Sequence, residues 1–147
     1  MPLVGFGTFM LNGEICTNSV VSAIQNGYRM IDTAEAYGNE KEVGEGIKAS
    51  GIDRKELFLV TKVNFTSYEN AEQSVMRSLE NLQTDYIDLV LLHWPFANYY
   101  AAWRSLKNCM RVVNSGTDPV AFSDTERHCR HSKKHPARAY QGEFQFV

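Results

Sequence analysis

The sequence predicts an α/β protein in which parallel β-strands alternate with α-helices. Short runs rich in β-branched, aliphatic and aromatic residues recur at residues 3–9, 28–34, 57–63 and 86–93. Their length and composition are typical of buried strands. Segments with helical periodicity separate the runs and follow the last one. This βαβαβαβα order predicts a parallel sheet with helices packed outside it, either a barrel or an open doubly wound sheet.

The composition is that of one ordinary globular domain. The 147 residues are 44% hydrophobic, and 15 lysines and arginines face 17 aspartates and glutamates, which gives a net charge of −2. This balance produces no general attraction to nucleic acid or to an anionic membrane. Three widely spaced cysteines suggest a reducing compartment, and neither a signal peptide nor a membrane-length apolar run is visible. We therefore expect a soluble cytoplasmic protein with neither nucleic acid nor a membrane as its partner, and we predict a monomer.

The first two helical segments carry both an apolar stripe and an end signal. In the first segment Val20 and Ile24 are spaced four residues apart, and Gly27 can end the helix. The second segment also has apolar residues four apart, and it closes at Gly51. Each glycine can adopt the left-handed conformation that commonly terminates a helix.

The third helical segment, residues 67–86, has the clearest amphipathic pattern. Its apolar stripe consists of Ala71, Val75, Leu79 and Leu82. Ser67 is the candidate N-cap, and Glu69 and Glu72 suit the first turns, where negative charge is favoured. A further helix is predicted after the fourth strand, over residues 98–108.

Three ionisable residues stand at the ends of three consecutive predicted strands. Asp32, Lys62 and His93 are 30 and 31 residues apart, about one βαβ repeat. Because parallel strands end at the same edge of a sheet, these side chains should converge at one rim, where a βα barrel forms its active site. Each residue taken singly has a simpler interpretation. Asp32 could cap the next helix, Lys62 could be a solvated strand end, and His93 could be a structural residue. Three at matching strand ends favour a functional site.

Tyr37 adds a proton donor to this set, five residues after Asp32. A tyrosine alone exchanges protons poorly near neutral pH, but a neighbouring lysine favours its phenolate. A carboxylate can hold that lysine, and a neutral histidine can donate a hydrogen bond to a carbonyl group. Together the four residues suit the protonation of a carbonyl oxygen while hydride adds to its carbon. The hydride must come from a cofactor.

Four segments of the chain resemble the aldo-keto reductase family. They read GFGTF, GYRMIDTAEAYGNEKEVG, LFLVTKV and DYIDLVLLHWP, and the second and fourth together are highly specific. The resemblance covers residues 1–107. It implies a (β/α)8 TIM-type barrel, incomplete here, with about the first five to six βα units. It also implies reduction of aldehydes or ketones with NADPH, or alternatively NADH, as the cofactor.

The same resemblance implies roles for individual residues. Tyr37 would donate the proton, and Lys62 and Asp32 would lower the pKa of Tyr37. His93 would orient the carbonyl group of the substrate. Trp94, with Tyr37 and His93, would line the substrate pocket. The residues implied near the cofactor are Gly7, Thr8, Phe9, Asp32, Ser123 and Gln141. No metal is implied.

The resemblance weakens after residue 107. The segment NSGTDPVAFSDTER stands where the family continues with a strand, and Asp124 follows Ser123 in place of the asparagine of the family pattern. The proline in this segment is unfavourable in a central strand. We expect residues 1–108 to form the N-terminal part of the barrel. Residues 109–147 are expected to be a degraded continuation of it, either read out of frame or disordered.

Other interpretations stay open at this point. One is a catalytically inactive remnant, or a non-catalytic binding protein that lacks a complete cofactor site. Another is metal binding by the tail segment, although its spacing matches no closed zinc set. The candidate ligands would be His128, Cys129, His131 and His135. A dinucleotide-binding fold of the Rossmann type is the alternative architecture, but GFGTF lacks the third glycine of that fingerprint.

Overall fold

The residues that the structure describes form one parallel sheet of five strands. The computed structural model describes residues 1–95, 97–113 and 121–122, with side chains as far as residue 106. The strands are β1 (Phe6–Gly7), β2 (Met30–Asp32), β3 (Phe58–Val63), β4 (Leu89–Leu92) and β5 (Ala121–Phe122). Every neighbouring pair is parallel, and the spatial order is the same as the chain order.

Within the described ranges, four α-helices connect or follow the strands. They are α1 (Gly13–Gln25), α2 (Glu40–Ser50), α3 (Ala71–Leu82) and α4 (Tyr99–Val113). Three 3-10 turns lie in the connections, at Glu35–Tyr37, Arg54–Glu56 and Phe65–Asn70. Gly27 and Gly51 follow α1 and α2 with φ angles of 94° and 73°, so both predicted helix ends are confirmed. In the part of the chain that the structure describes, no helix has the length and apolarity needed to span a membrane.

The strand order decides between the two architectures that the sequence left open. An open doubly wound sheet reverses its strand order at a switch point. Here each strand pairs with the next one along the chain, from β1 to β5, without a reversal. Sequential pairing with helical crossovers is the pattern of a βα barrel. The described residues therefore form an incomplete (β/α)8 TIM-type barrel, and the Rossmann alternative is wrong.

The core lies between the sheet and the helices, and its members match the apolar periodicity of the sequence. The predicted stripe of α3 packs inward, with Ala71, Val75 and Leu82 buried and Leu79 partly buried. The helical layer is close packed because α2 carries small residues at its contacts. A Cβ atom on Gly44 would lie 2.6 Å from the Leu82 carbonyl oxygen.

The strands are shorter than the predicted runs. The run predicted at residues 3–9 pairs as a strand only at Phe6–Gly7. Leu3 and Val4 are 101% and 66% exposed, so nothing among the described residues buries this part of the run. The run at 28–34 pairs as a strand only at Met30–Asp32, where β3 supplies a partner for all three residues.

The prediction that Ser67 caps the third helix is wrong. The helix begins at Ala71, and Ser67 lies one turn earlier, inside the 3-10 turn Phe65–Asn70. Its hydroxyl donates to Glu35 Oε1 at 2.8 Å instead of to the helix backbone. A long-range carboxylate partner therefore replaces the local capping bond that the sequence suggested.

Candidate active site

The carboxyl edge of the sheet brings the four predicted polar side chains together. Asp32 is the last residue of β2, Lys62 is the penultimate residue of β3, and His93 follows β4 directly. The backbone N–H of His93 donates to the Val63 carbonyl oxygen, which keeps the ends of β3 and β4 aligned. Tyr37 ends the 3-10 turn that follows β2.

Lys62 is the centre of the polar contacts at this edge. Its Nζ donates to both carboxylate oxygens of Asp32, at 2.8 Å and 2.7 Å, and to the Thr33 carbonyl oxygen at 3.0 Å. It also reaches the Tyr37 hydroxyl at 3.4 Å. The side chains of Lys62 and Asp32 are each 14% exposed, so this ion pair is largely removed from solvent.

Burial is the main cause of the shifted pKa values of Asp32 and His93. Burial raises the pKa of the Asp32 carboxyl, and the charge and hydrogen bond of Lys62 offset part of that rise. Burial also lowers the pKa of His93, and the charge of Lys62 lowers it further. Since a lowered pKa disfavours the imidazolium, His93 is neutral at neutral pH and can donate one N–H.

Aromatic rings surround the reactive groups. The Tyr37 ring lies edge-on to the His93 ring, with 5.7 Å between centroids, and 5.0 Å from the Phe9 ring. The His93 ring stacks on Trp94, with centroids 5.5 Å apart. Phe9 and Trp94 remain 66% and 42% exposed. The edge of the sheet thus presents apolar faces beside the polar groups, an environment suited to a flat ring or a small carbonyl compound.

The turn after β1 is tied to the site through its backbone. Gly7 pairs with Asp32 in the sheet register. The Thr8 N–H and hydroxyl both donate to the Asp32 carbonyl oxygen, at 3.0 Å and 3.2 Å. Asn39, which is buried, donates to the Thr8 carbonyl oxygen at 2.8 Å. The turn is therefore held beside Tyr37, and the Phe9 ring is one of the exposed groups it offers.

Two further residues support the site and were missed by the sequence analysis. Glu35 accepts hydrogen bonds from the segment after β3 and from α3. Tyr68 donates to the Trp94 carbonyl oxygen at 2.5 Å and accepts from the Trp94 N–H at 3.1 Å, so it holds the chain directly after His93. No local pattern marks either residue, because their partners are more than 25 residues away in the sequence.

Several predicted positions cannot be placed. Ser123 and Gln141, implied near the cofactor, lie outside the described residues, as do the four candidate metal ligands of the tail segment. The expected division at residue 108 also stays a prediction: α4 (Tyr99–Val113) runs across it, and most of residues 109–147 lie outside the described residues.

A surface hollow of about 540 Å³ lies on the outer helical layer, lined by the N-terminal turns of α1 and α2. Its charged lining consists of Glu14, Lys41, Glu42 and Glu45. None of the four polar side chains at the edge of the sheet lines this hollow, so it is separate from the candidate site.

The sequence matches one protein family and several known proteins. The model of the Aldo/keto reductase family matches residues 3–147. The chain is 50% identical over 111 residues to glyoxal reductase of Bacillus subtilis, covering 73% of this chain and 40% of that protein. It is 45% identical over 103 residues to NAD(P)H-dependent D-xylose reductase I,II of Candida tropicalis, covering 66% of this chain and 32% of that protein.

A solved structure gives the same match in three dimensions. The fold resembles that of an aldo-keto reductase from a Medee basin deep-sea metagenome library, with a TM-score of 0.67 and 43% identity. The match covers 74% of this chain and 42% of that structure. The chain therefore spans between about a third and two fifths of the length of these proteins.

Proposed function

The chain belongs to the aldo/keto reductase family, and on that premise we propose that it carries the catalytic residues for NADPH-dependent reduction of aldehydes or ketones to alcohols. We also propose that its substrate is a small carbonyl compound and that it acts as a monomer in the cytoplasm. Glyoxal reductase is among its relatives, so a small aldehyde of the glyoxal type is the first substrate to test.

The observation that carries the proposal is the position of the Lys62 ammonium group. It lies between the Asp32 carboxylate, at 2.7 Å, and the Tyr37 hydroxyl, at 3.4 Å. A cation next to a phenol stabilises the phenolate that remains after the proton has left. The carboxylate holds that cation in a partly dry site, where its charge acts more strongly than in water.

The residues then have separate roles in one proton transfer. The Tyr37 O–H bond breaks, and its proton passes to the carbonyl oxygen as hydride adds to the carbonyl carbon. The neutral His93 imidazole donates a hydrogen bond that orients the same oxygen. Lys62 stabilises the phenolate, and Asp32 fixes Lys62.

The described residues fit the nicotinamide end of the proposed cofactor. Reduced nicotinamide supplies the hydride. The exposed Phe9 ring lies 5.0 Å from the Tyr37 ring, which leaves an apolar face beside the proton donor. Gly7 and Thr8 hold this turn against the end of β2. Ser123 and Gln141 remain proposed contacts, together with a preference for NADPH over NADH.

Steady-state oxidation of NADPH with glyoxal tests the proposal directly. We expect turnover by the 147-residue chain, and a fall in kcat on the order of 100- to 10,000-fold in the Tyr37→Phe variant, the range for loss of a general acid. The matched control is Tyr100→Phe, because Tyr100 is 64% exposed on α4 and should leave kcat unchanged. Repeating the assay with NADH measures the cofactor preference.

Two results would contradict the proposal. Absence of turnover in the folded chain would favour the alternative, a catalytically inactive remnant or a non-catalytic binding protein. Turnover that survives Tyr37→Phe would show that another group donates the proton.

A further inference from the structure

We propose that Glu35 is a positioning residue that holds the Tyr37 turn against the end of β3, and so keeps the Tyr37 hydroxyl beside Lys62. The inference rests on the proposed function for its catalytic consequence. Its structural part concerns only the relative position of two side chains and can be tested without turnover.

Glu35 accepts four hydrogen bonds from three parts of the chain. Oε2 accepts from the Asn64 backbone N–H at 2.9 Å and from the Ser74 hydroxyl at 2.8 Å. Oε1 accepts from the Ser67 hydroxyl at 2.8 Å and from Arg77 Nη2 at 3.2 Å. Each carboxylate oxygen thus accepts two hydrogen bonds. The donors belong to the residue directly after β3, to the next 3-10 turn and to α3.

These bonds connect the two segments that carry the proton donor and its cation. Glu35 and Tyr37 belong to the same 3-10 turn, whereas Asn64 lies two residues after Lys62. The direct contact between Tyr37 and Lys62 is long, at 3.4 Å, and is a weak restraint by itself. The shorter bonds of Glu35 are therefore a stronger restraint on the two segments than this contact is.

The carboxylate form of Glu35 is the form this arrangement requires. Its partners present only N–H and O–H donors, and an ionised carboxylate is the side chain that only accepts. Burial by itself raises the pKa of Glu35, but the bonds from Asn64, Ser67, Ser74 and Arg77 reverse that effect and leave it below its ordinary value. Arg77 is 52% exposed, so the three shorter bonds carry most of the restraint.

The test compares Glu35→Gln with the double variant Ser67→Ala/Ser74→Ala. The first directs an amide N–H₂ at donors in place of one acceptor oxygen, and the second removes two donors while leaving Glu35 intact. Glu45→Gln is the matched control, because it removes the same charge at a residue that is exposed on α2. Circular dichroism and thermal unfolding establish that each variant is folded.

Two readouts are measured on the 147-residue chain. The first is the nuclear Overhauser effect between the Tyr37 ring protons and the Lys62 ε-methylene protons. The second is the pair of values kcat and KM, determined separately for each variant in the glyoxal assay. A role that is merely structural would lower thermal stability without moving the Tyr37–Lys62 cross-peak of the folded protein.

We expect both test variants to weaken the cross-peak and to lower kcat on the order of 10- to 100-fold with KM changed less than about twofold, as expected for a small misplacement of a reacting group. The Glu45→Gln control should match the wild type in both readouts. A wild-type cross-peak in folded Glu35→Gln, or an unchanged kcat, would overturn the inference.

The design separates this inference from the proposed function. If the wild type shows no turnover, the proposed function fails, and the cross-peak alone decides whether Glu35 positions Tyr37. If Glu35→Gln does not fold, the double serine variant decides, with the same two outcomes.

Discussion

At the residue scale, the polar contacts of the candidate site meet at one charge, that of Lys62. Lys62 Nζ contacts the Asp32 carboxylate and the Tyr37 hydroxyl, and its charge also lowers the pKa of His93. Replacing this lysine would therefore change the electrostatic environment of three groups together. Asp32 is the group whose response can be measured most directly, because it is buried and depends on Lys62 for compensation.

Lys62→Met should make the stability of the protein depend on pH in a new way. Burial would act unopposed on Asp32, and its pKa in the folded state would rise further above the unfolded value of about 3.9. The folded variant then binds a proton that the unfolded chain releases, so its free energy of unfolding falls as pH rises through the raised pKa. We expect a loss of about 2–4 kcal/mol near neutral pH, since an unpaired buried charge remains.

Urea unfolding at about pH 5 and about pH 8 measures this effect, because stability follows the difference in bound protons between the two states. Lys41→Met is the control, since Lys41 is exposed and forms no ion pair within the described residues. Equal pH dependence in the two variants would show that Asp32 does not rely on Lys62. The double variant Asp32→Asn/Lys62→Met should lose the added dependence.

At the element scale, β4 is placed by an arginine that precedes β3. Arg54 donates to the carbonyl oxygens of Leu57 and Tyr86, at 2.7 Å and 2.9 Å, and to Asp88 Oδ2 at 2.7 Å. Its guanidinium group also lies 4.0 Å from the centroid of the Tyr86 ring. Because β4 begins at Leu89, these contacts fix the entry into the strand that His93 follows directly.

Arg54→Lys should destabilise the protein by about 1–3 kcal/mol even though the charge is kept, because a lysine cannot reproduce a planar fork of donors. Chemical denaturation of the variant measures the loss. Arg104→Lys, at an exposed position on α4, is the matched control and should stay within about 0.5 kcal/mol of the wild type. A loss no larger than that of the control would mean that β4 is placed by its core side chains alone.

At the scale of the whole molecule, Cys16 reports on the integrity of the helical layer. The residue is 0% exposed within α1, and burial, with a smaller contribution from Glu42, raises its pKa to about 11. Its thiolate fraction at neutral pH is thus about 100-fold below that of an ordinary thiol. A thiol reagent should therefore reach it only when α1 separates from α2.

Labelling of Cys16 with a disulfide reagent checks this in a Cys109→Ser/Cys129→Ser background, which leaves one thiol. We expect native labelling no faster than global unfolding measured by circular dichroism, and immediate labelling in denaturant. Labelling within seconds under native conditions would instead indicate that α1 opens locally, without unfolding of the sheet.

The sequence by itself determined the alternation of strands and helices, the glycine ends at Gly27 and Gly51, and the four polar side chains at the edge of the sheet. These features are accessible because periodicity and end signals are local, and because parallel strands must end on one edge. The choice between barrel and open sheet needed the pairing order. Local pattern could not supply it, since both folds have the same βα rhythm.

Only the tertiary structure decided how the site is held. Glu35 finds its four partners between 29 and 42 residues away, and Ser67, which local reasoning made a helix cap, is one of them. The short β1 strand and the contact between Phe9 and Tyr37 are equally non-local. A side chain with several possible donors or acceptors selects among them only after the backbone has folded. Periodicity therefore determines which residues reach the edge of the sheet, and packing determines what they contact there.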